Sequence, residues 1–342
     1  MTLSPLPAPW DADYVASLLR QWQELPLAVC GHQRPDGDCI GSQVALTRFL
    51  RDRGLDAVAL QTDPIPRTLR AFAGDTPFHE NGHLPAEPRT AVTVDCADAA
   101  RIGADLREAM LGTLLNIDHH RSNPGYGEHN LVDSRASATA EILAELFLAC
   151  QYRPDPTTAR ALYLGIATDT GQFRYPSTTP RTFEICHWLC ECGADPAGVA
   201  TLLYERETPG KMRLLSRFLE SLRLECDGQV CTSCLREEDY RATATSREDS
   251  EGFVDYARSL EGVRIGVYVE EKGGHLKGSL RCKDPFFQVD AVARLWNGGG
   301  HACAAGFNLE NTSYDTFHPQ LVATLAEHLA SLGTPPADTV LA

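Results

Sequence analysis

Apolar and polar positions alternate along this chain in two registers. Short apolar runs, Leu27-Ala28-Val29-Cys30, Leu55 to Leu60, Ala91 to Val94 and Leu114 to Ile117, read as β-strands. Between them lie stretches with helical spacing. Ile40 to Arg53 places Ile40, Val44, Ala45, Leu46, Phe49 and Leu50 on a helical repeat closed by Gly54. Ser137 to Cys150 carries Ile142, Leu146 and Ala149 on one side and Glu141 and Glu145 on another, and Thr182 to Cys192 stops at Gly193. Ala97 to Arg107 also reads as helical. Such alternation is the signature of βαβ units and a parallel sheet. A further apolar stretch, Ala161 to Ala167, is expected to be one more strand, leading into Asp169 and Gly171.

The second half changes character. From Ala197 to Glu225 the pattern is helical, broken near Thr208-Pro209-Gly210, and is expected to connect two domains. Gln229 to Leu235, Val263 to Glu270 and Leu276 to Cys282 alternate like half-exposed strands, the last two joined as a hairpin by Lys272-Gly273-Gly274. A short helix at Asp290 to Leu295, a glycine cluster and a final helix over Phe317 to Leu332 follow, and the tail after Gly333 is expected to be loose. The expected fold is α/β with two domains. Residues 1–196 form a parallel-sheet domain, 197–225 a helical linker, and 226–342 a smaller α/β domain.

The length of 342 residues suits two such domains. A net charge of -15, from 31 basic and 46 acidic residues, removes any general attraction to long nucleic acid or an anionic membrane. A small anionic substrate stays open if local cations invert the field. The N-terminal segment Met1 to Trp10 lacks the basic and apolar regions of a signal peptide, and no apolar run approaches bilayer-spanning length. The 12 cysteines lie largely within apparent strands and helices, such as Cys30, Cys150 and Cys186, so reduced thiols and a cytoplasmic location are expected.

The strand ends carry the chemistry. Leu114 to Ile117 runs straight into Asp118-His119-His120, three adjacent polar, metal-competent side chains that core packing does not explain. Leu27 to Cys30 leads to His32, Asp36 and Asp38, with Gly37 expected to permit a sharp turn that lets both carboxylates face beyond the strand. Two carboxylates so close repel each other unless a cation sits between them. Asp36 and Asp38 would otherwise be helix caps; Asp95, taken alone, would be a strand-end cap and Asp169 a turn residue. Gathered at one sheet edge, they form an α/β active site. Oxygen ligands mixed with imidazole suit Mn²⁺, Fe²⁺ or Zn²⁺. So many acidic ligands call for two cations about 3.5–4 Å apart, an arrangement that activates water and clamps a phosphoryl oxygen.

Downstream, Gly298-Gly299-Gly300-His301 precedes Ala304-Ala305-Gly306. Glycines allow backbone N–H groups to approach an anion, and His301 can donate to it. Ser279 and Arg281, two apart on one strand, point to one face and offer a hydroxyl and a guanidinium.

His32-x-x-x-Asp36-x-Asp38, Asp95, Asp118-His119-His120 and Asp169, with Gly298-Gly299-Gly300-His301 far downstream, resemble the DHH phosphoesterase superfamily over nearly the whole chain. The C-terminal half resembles its DHH-associated domain, and the compact length its nanoRNase/pAp-phosphatase (NrnA-type) branch. The resemblance implies hydrolysis of very short oligonucleotides and 3′-phosphoadenosine 5′-phosphate with two divalent cations, Mn²⁺ foremost. His32 and Asp36 would hold the first ion, Asp38, His119 and Asp169 the second, with Asp95 bridging. His120 would be a catalytic non-ligand and Asp118 would orient its neighbours. Ser279, Arg281, Gly298 to Gly300 and His301 would hold the substrate's terminal phosphate, and Phe173 and Arg174 are further candidate contacts. Short oligonucleotides or mononucleotide bisphosphates are the expected partners, with a homodimer as the general prior for a soluble enzyme.

The chain departs from the family pattern at Cys39, Asn297 and Ala302; the last stands where a basic residue is frequent, which bears on the strength of phosphate binding and on the exact substrate. Alternatives in the same chemistry are a cyclic-dinucleotide phosphodiesterase and an inorganic pyrophosphatase. Lys277 and Lys283 would serve the latter, while Phe286 and Phe287 suit a base. A nucleotide-binding sensor without turnover is the non-enzymatic alternative. Cys231-x-x-Cys234 with Cys226, and Cys186, Cys190 and Cys192 with His187, read as packing residues.

Overall fold

The computed structural model describes residues 6–80 and 87–333. The tail after Gly333, expected to be loose, and the first five residues lie outside the described ones. The chain divides into two compact units, Met1–Arg206 and Glu207–Ala342.

The first unit is built on a six-stranded sheet of β1 (Leu27–Cys30), β2 (Ala57–Leu60), β3 (Phe78–His79), β4 (Thr90–Val94), β5 (Thr113–Asp118) and β6 (His129–Val132). Every neighbouring pair is parallel, in the order β3-β2-β1-β4-β5-β6. Helices on the faces leave β1 no contact with water, which is why its four residues are uniformly apolar. The strand order reverses between β1 and β4. At such a switch the loops leaving the two strands diverge and open a crevice beyond their carboxyl ends.

Helices α1 (Ala12–Gln21), α2 (Gly37–Asp52), α3 (Ala104–Ala109), α4 (Thr139–Ala149), α5 (Pro156–Asp169), α6 (Pro180–Glu191) and α7 (Pro196–Tyr204) complete the unit. The stretch Ala97 to Arg107 is not one helix, because Gly103, at φ 102°, separates a 3₁₀ turn from α3. The larger correction concerns Ala161 to Ala167, which lies in α5 and not in a strand. Asp155 caps that helix, accepting from the Thr158 N–H, and Pro156 occupies its first turn. The helix is buried on nearly all sides, so its apolar residues lose their 3.6-residue spacing and mimic a buried strand. It also packs against α2 very closely: a Cβ on Gly41 would lie 2.3 Å from the Ala161 carbonyl oxygen.

The stretch 197–225, expected to be a helical linker, is divided between the units and is helical only to Glu220, since Arg223–Glu225 pairs into a sheet as a strand. In α7, Val199 is buried with Ile40 and Leu164 of the first unit. In α8 (Pro209–Glu220), Leu214 and Phe218 are buried with Cys231 and Tyr268 of the second.

The second unit carries β7 (Arg223–Glu225), β8 (Val230–Arg236), β9 (Ile265–Lys272), β10 (His275–Cys282), β11 (Gly299–His301) and β12 (Ala304–Leu309), ordered β11-β12-β10-β9-β8-β7. β8 and β9 are parallel and the remaining pairs antiparallel. Helices α9 (Glu237–Thr243) and α10 (Val254–Ser259) also belong to this unit, and one face of the sheet buries Leu280 and Phe307 with Val292 of α11 (Val289–Arg294) and Leu321 of α12 (Tyr314–Leu332). All twelve cysteines are free. Among the described residues no helix is long and apolar enough to cross a membrane.

Candidate metal centre

The loops leaving β1, β4 and β5, the first turn of α2 and the last residue of α5 bring six side chains together. His32, Asp36 and Asp95 place one ligand atom each within 4.8 Å of one another, and so do Asp38, His119 and Asp169. Asp95 spans the two groups. Its Oδ2 lies 3.4 Å from His32 Nε2, and its Oδ1 lies 3.6 Å from His119 Nε2. Asp169 Oδ2 lies 3.4 Å from the same His119 nitrogen.

Local structure explains the aim of each group. His32 Nδ1 is 2.8 Å from the Gln33 carbonyl oxygen, an acceptor, so Nδ1 carries a proton and Nε2 is the nitrogen turned towards the carboxylates, the one a cation would take up in place of its proton. Asp36 is the N-cap of α2, its Oδ1 accepting from the Cys39 N–H at 3.0 Å, while its Oδ2 lies 3.7 Å from His32 Nε2. The cap and the cluster therefore use different oxygens of one carboxylate. Asp38, in the first turn of the same helix, is fully buried and accepts from the Thr139 N–H at 2.7 Å and the Ala140 N–H at 2.9 Å. Gly37 has no unusual backbone here, contrary to expectation; it is required because a Cβ would lie 2.3 Å from Thr168 Oγ1. Asp95 does have one, a φ of 52° that non-glycine residues seldom adopt.

Burial and crowding of like charge dominate the electrostatics. Burial, then the charge of Asp38, holds Asp95 well above the ordinary carboxylate range, and the same two causes push Asp169 up to about 7. Burial lowers the affinity of His32 for a proton, but hydrogen bonding to Asp36 and Asp95 outweighs it and raises the imidazole to about 10. The metal-free protein thus retains protons where cations would otherwise balance the carboxylates. Oxygen and imidazole donors, two convergent groups and surplus negative charge fit a pair of borderline-hard divalent ions.

Asp118 and His120 adjoin this set, and with Asp95 and His119 they too place one ligand atom each within 4.8 Å of one another. Burial works against ionisation of Asp118, but its hydrogen bond with His120 and that from Asn123 hold the carboxyl below its usual range. Asp118 Oδ1 accepts from His120 Nδ1 at 2.7 Å and from the His119 N–H at 2.8 Å; Oδ2 accepts from Asn123 Nδ2 at 2.6 Å. These bonds occupy most of the carboxylate's acceptor capacity.

Sequence reading missed Asn123 and Thr139. Thr139 donates its N–H to Asp38 and its hydroxyl to Asp95 Oδ1 at 3.2 Å. Thr139 opens a helix and Asn123 follows a strand, positions where such residues are routine, so no local signal marks either.

In the second unit, β-sheet register orders the other predicted residues. Arg281 lies opposite Ala304, and Ala304 opposite His301; Ser279 lies opposite Gly306, and Gly306 opposite Gly299. Directly opposed residues share a face, so Arg281 and His301 flank a small side chain at a separation of about 10 Å. The glycine cluster is not a free loop: Gly299 and Gly300 belong to edge strand β11. Gly298 is sterically required, since a Cβ would lie 2.2 Å from the Gly306 carbonyl oxygen. Phe287, expected to suit a base, is buried in the core, while Phe286 is half-buried. Phe173 packs against the core of the first unit and stacks on Phe183, and Arg174 is exposed.

Residues 26–166 match the DHH family, N-terminal domain, and residues 227–331 the DHHA1 domain. The bifunctional oligoribonuclease and PAP phosphatase NrnA of Thermus thermophilus is 29% identical over 330 residues, covering 96% of this chain and 98% of its own. The probable bifunctional oligoribonuclease and PAP phosphatase NrnA of Streptococcus mutans is 30% identical, covering 81% and 87%. An exopolyphosphatase-related protein from Bacteroides fragilis shares the fold, with a TM-score of 0.85 at 22% identity over 94% of this chain and 97% of that one. With its sequence motifs at the ends of β1, β4 and β5 and both domains matched in order, the chain belongs to the DHH phosphoesterase family, in its NrnA branch.

Proposed function

We propose that this protein hydrolyses short oligoribonucleotides and removes phosphate from 3′-phosphoadenosine 5′-phosphate. The observation that carries this reading is Asp95, which offers one oxygen to the His32 group and the other to the His119 group. A carboxylate so placed would serve two divalent ions at once. His32 and Asp36 would hold one Mn²⁺, Asp38, His119 and Asp169 the second, with Asp95 between them. When bound, the pair supplies an acidified water at neutral pH and electrostatic stabilisation of the phosphoryl oxygens.

The remaining chemistry belongs to the chain. His120 is held at Nδ1 by ionised Asp118, so Nε2 is the atom that meets the phosphoryl group or the leaving oxygen. In the second unit, an anion over Ala304 would meet Arg281 on one side and His301 on the other, with Ser279 in the adjoining row. A site for one terminal phosphate favours short substrates, in keeping with a net charge of -15 that repels a long polyanion.

The test is a hydrolysis panel with Mn²⁺: RNAs of increasing length from the dinucleotide upward, 3′-phosphoadenosine 5′-phosphate, cyclic di-AMP, linear pApA and pyrophosphate. Preference for the shortest RNAs together with the bisphosphate is expected. Turnover of pyrophosphate alone would retain the metal centre and overturn the substrate. Metal binding without turnover of any compound would make the protein a sensor.

A further inference from the structure

Thr139 is the first residue of α4, and its two polar groups point at different halves of the cluster. Its N–H lies 2.7 Å from Asp38 Oδ2 and its hydroxyl 3.2 Å from Asp95 Oδ1. Both carboxylates are buried, at 1% and 2% exposure, so neither bond is shared with bulk water. Asp38 has other holders, the Ala140 N–H at 2.9 Å and Ser42 Oγ at 3.2 Å. Asp95 is held differently. It follows β4 with a φ of 52°, and its backbone N–H bonds to the Ile117 carbonyl at 3.0 Å, which fixes its main chain but not its carboxylate plane.

The carboxylate plane decides what Asp95 can do. With one oxygen towards His32 and the other towards His119, it can serve two ions; rotated about Cβ–Cγ, it can chelate only one. A hydroxyl donating to Oδ1 resists that rotation. A threonine deeper in a helix would turn its hydroxyl back onto the carbonyl one turn earlier. At the first helical position no such carbonyl exists, so the hydroxyl is available to Asp95.

Resting on the dimetal reading above, we propose that Thr139 is a positioning residue that keeps Asp95 in the bridging orientation and ties it to Asp38. This role differs measurably from that of a plain helix-start residue. A helix-start residue contributes to the stability of the metal-free fold, whereas a holder of the bridge governs the second ion and the magnetic coupling between the two.

The experiment uses the full chain as wild type, Thr139→Val and Thr139→Ser, titrated with Mn²⁺ and followed by calorimetry and electron paramagnetic resonance. Wild type should bind two Mn²⁺ and show an exchange-coupled spectrum. Thr139→Val should bind the second ion about 10- to 100-fold more weakly and show uncoupled Mn²⁺ at the same loading. Its kcat on a dinucleotide should fall with little change in KM. Thr139→Ser, which restores the hydroxyl, should return both coupling and affinity. A coupled spectrum with wild-type affinity in Thr139→Val would overturn the proposal, as would a Thr139→Ser variant as defective as Thr139→Val. If Thr139→Val does not fold, Thr139→Ala takes its place: weakened, uncoupled Mn²⁺ is again expected, and wild-type coupling and affinity would again overturn the proposal. Failure of wild type to bind two Mn²⁺ would instead remove the dimetal reading itself, so the two failures are distinguishable.

Discussion

His120 donates from Nδ1 to Asp118 Oδ1 across 2.7 Å, while Asn123 holds the other oxygen of that carboxylate at 2.6 Å. The direction follows from charge. Asp118 is held below the usual carboxylate range and as a carboxylate can only accept, so Nδ1 is the donor and Nε2 is the nitrogen left for substrate. A histidine whose Nδ1 is committed in this way acts on substrate through Nε2. His120→Ala should therefore lower kcat by about 10²- to 10⁴-fold, the range for loss of a positioned acid or base. Two Mn²⁺ per chain should remain by elemental analysis; loss of one would make His120 a ligand.

Gly165 places α5 against the DxD helix, α2. A Cβ at this position would lie 2.6 Å from Asp38 Oδ1 and 2.6 Å from Ala140 Cβ. Neither neighbour has room to move, because Asp38 is tied to the start of α4. Gly165→Ala should cost about 1–3 kcal/mol by overpacking and also displace the carboxylate. Thermal unfolding reads the first effect and Mn²⁺ affinity the second; unchanged affinity would show that α4 moves with Asp38.

Arg281 shares a sheet face and a register row with His301 through Ala304. Its guanidinium donates to the Leu280 carbonyl oxygen at 3.0 Å, and a guanidinium at a terminal phosphate acts mainly on binding. Arg281→Ala should raise KM for 3′-phosphoadenosine 5′-phosphate and for 5′-phosphorylated dinucleotides by about 10-fold or more. A dinucleotide without a terminal phosphate should be little affected. Equal changes in both kinds of substrate would remove Arg281 from the phosphate site.

Protons and cations compete for the same carboxylates. In the metal-free protein Asp169 is raised to about 7, first by burial and then by Asp38, from an ordinary value near ~3.9. A raised folded value means the native state holds a proton that the unfolded chain has released. That contribution to stability is fully present below about pH 4 and is lost as pH rises through about 7. His32, raised to about 10 by Asp36 and Asp95 against the effect of burial, behaves alike at higher pH: its contribution is present below about 6.5 and lost towards 10. Mn²⁺ replaces these protons, so its stabilising effect should grow with pH. The difference in Tm between Mn²⁺-loaded and chelator-treated protein should widen from about pH 5.5 to about pH 8. A constant or narrowing gap would show that these groups do not bind the metal.

Much of the fold was legible because local pattern encodes local structure. The spacing of Ile40, Val44, Phe49 and Leu50 marks α2, and Lys272-Gly273-Gly274 marks the turn joining β9 and β10. Legibility failed where burial erased periodicity. Ala161, Leu162, Leu164, Ile166 and Ala167 are all buried, so α5 carries no polar face to distinguish it from a strand. Asp169 consequently reaches the cluster from a helix C-terminus and not from a strand end.

The sequence by itself determined the candidate donors: six carboxylate and imidazole side chains, set by local spacing just beyond apolar runs, and the residues His120 and Asp118 beside them. Tertiary structure alone decided which donors meet and what holds them. The strand order sets β1 beside β4 and β4 beside β5, so loops distant in sequence open onto one crevice. Thr139 reaches Asp38 across 101 positions and Asp95 across 44. Contacts over such separations depend on strand order and helix packing, which no local run of residues records. Sequence spacing specifies what each segment presents, and long-range packing specifies to whom it is presented.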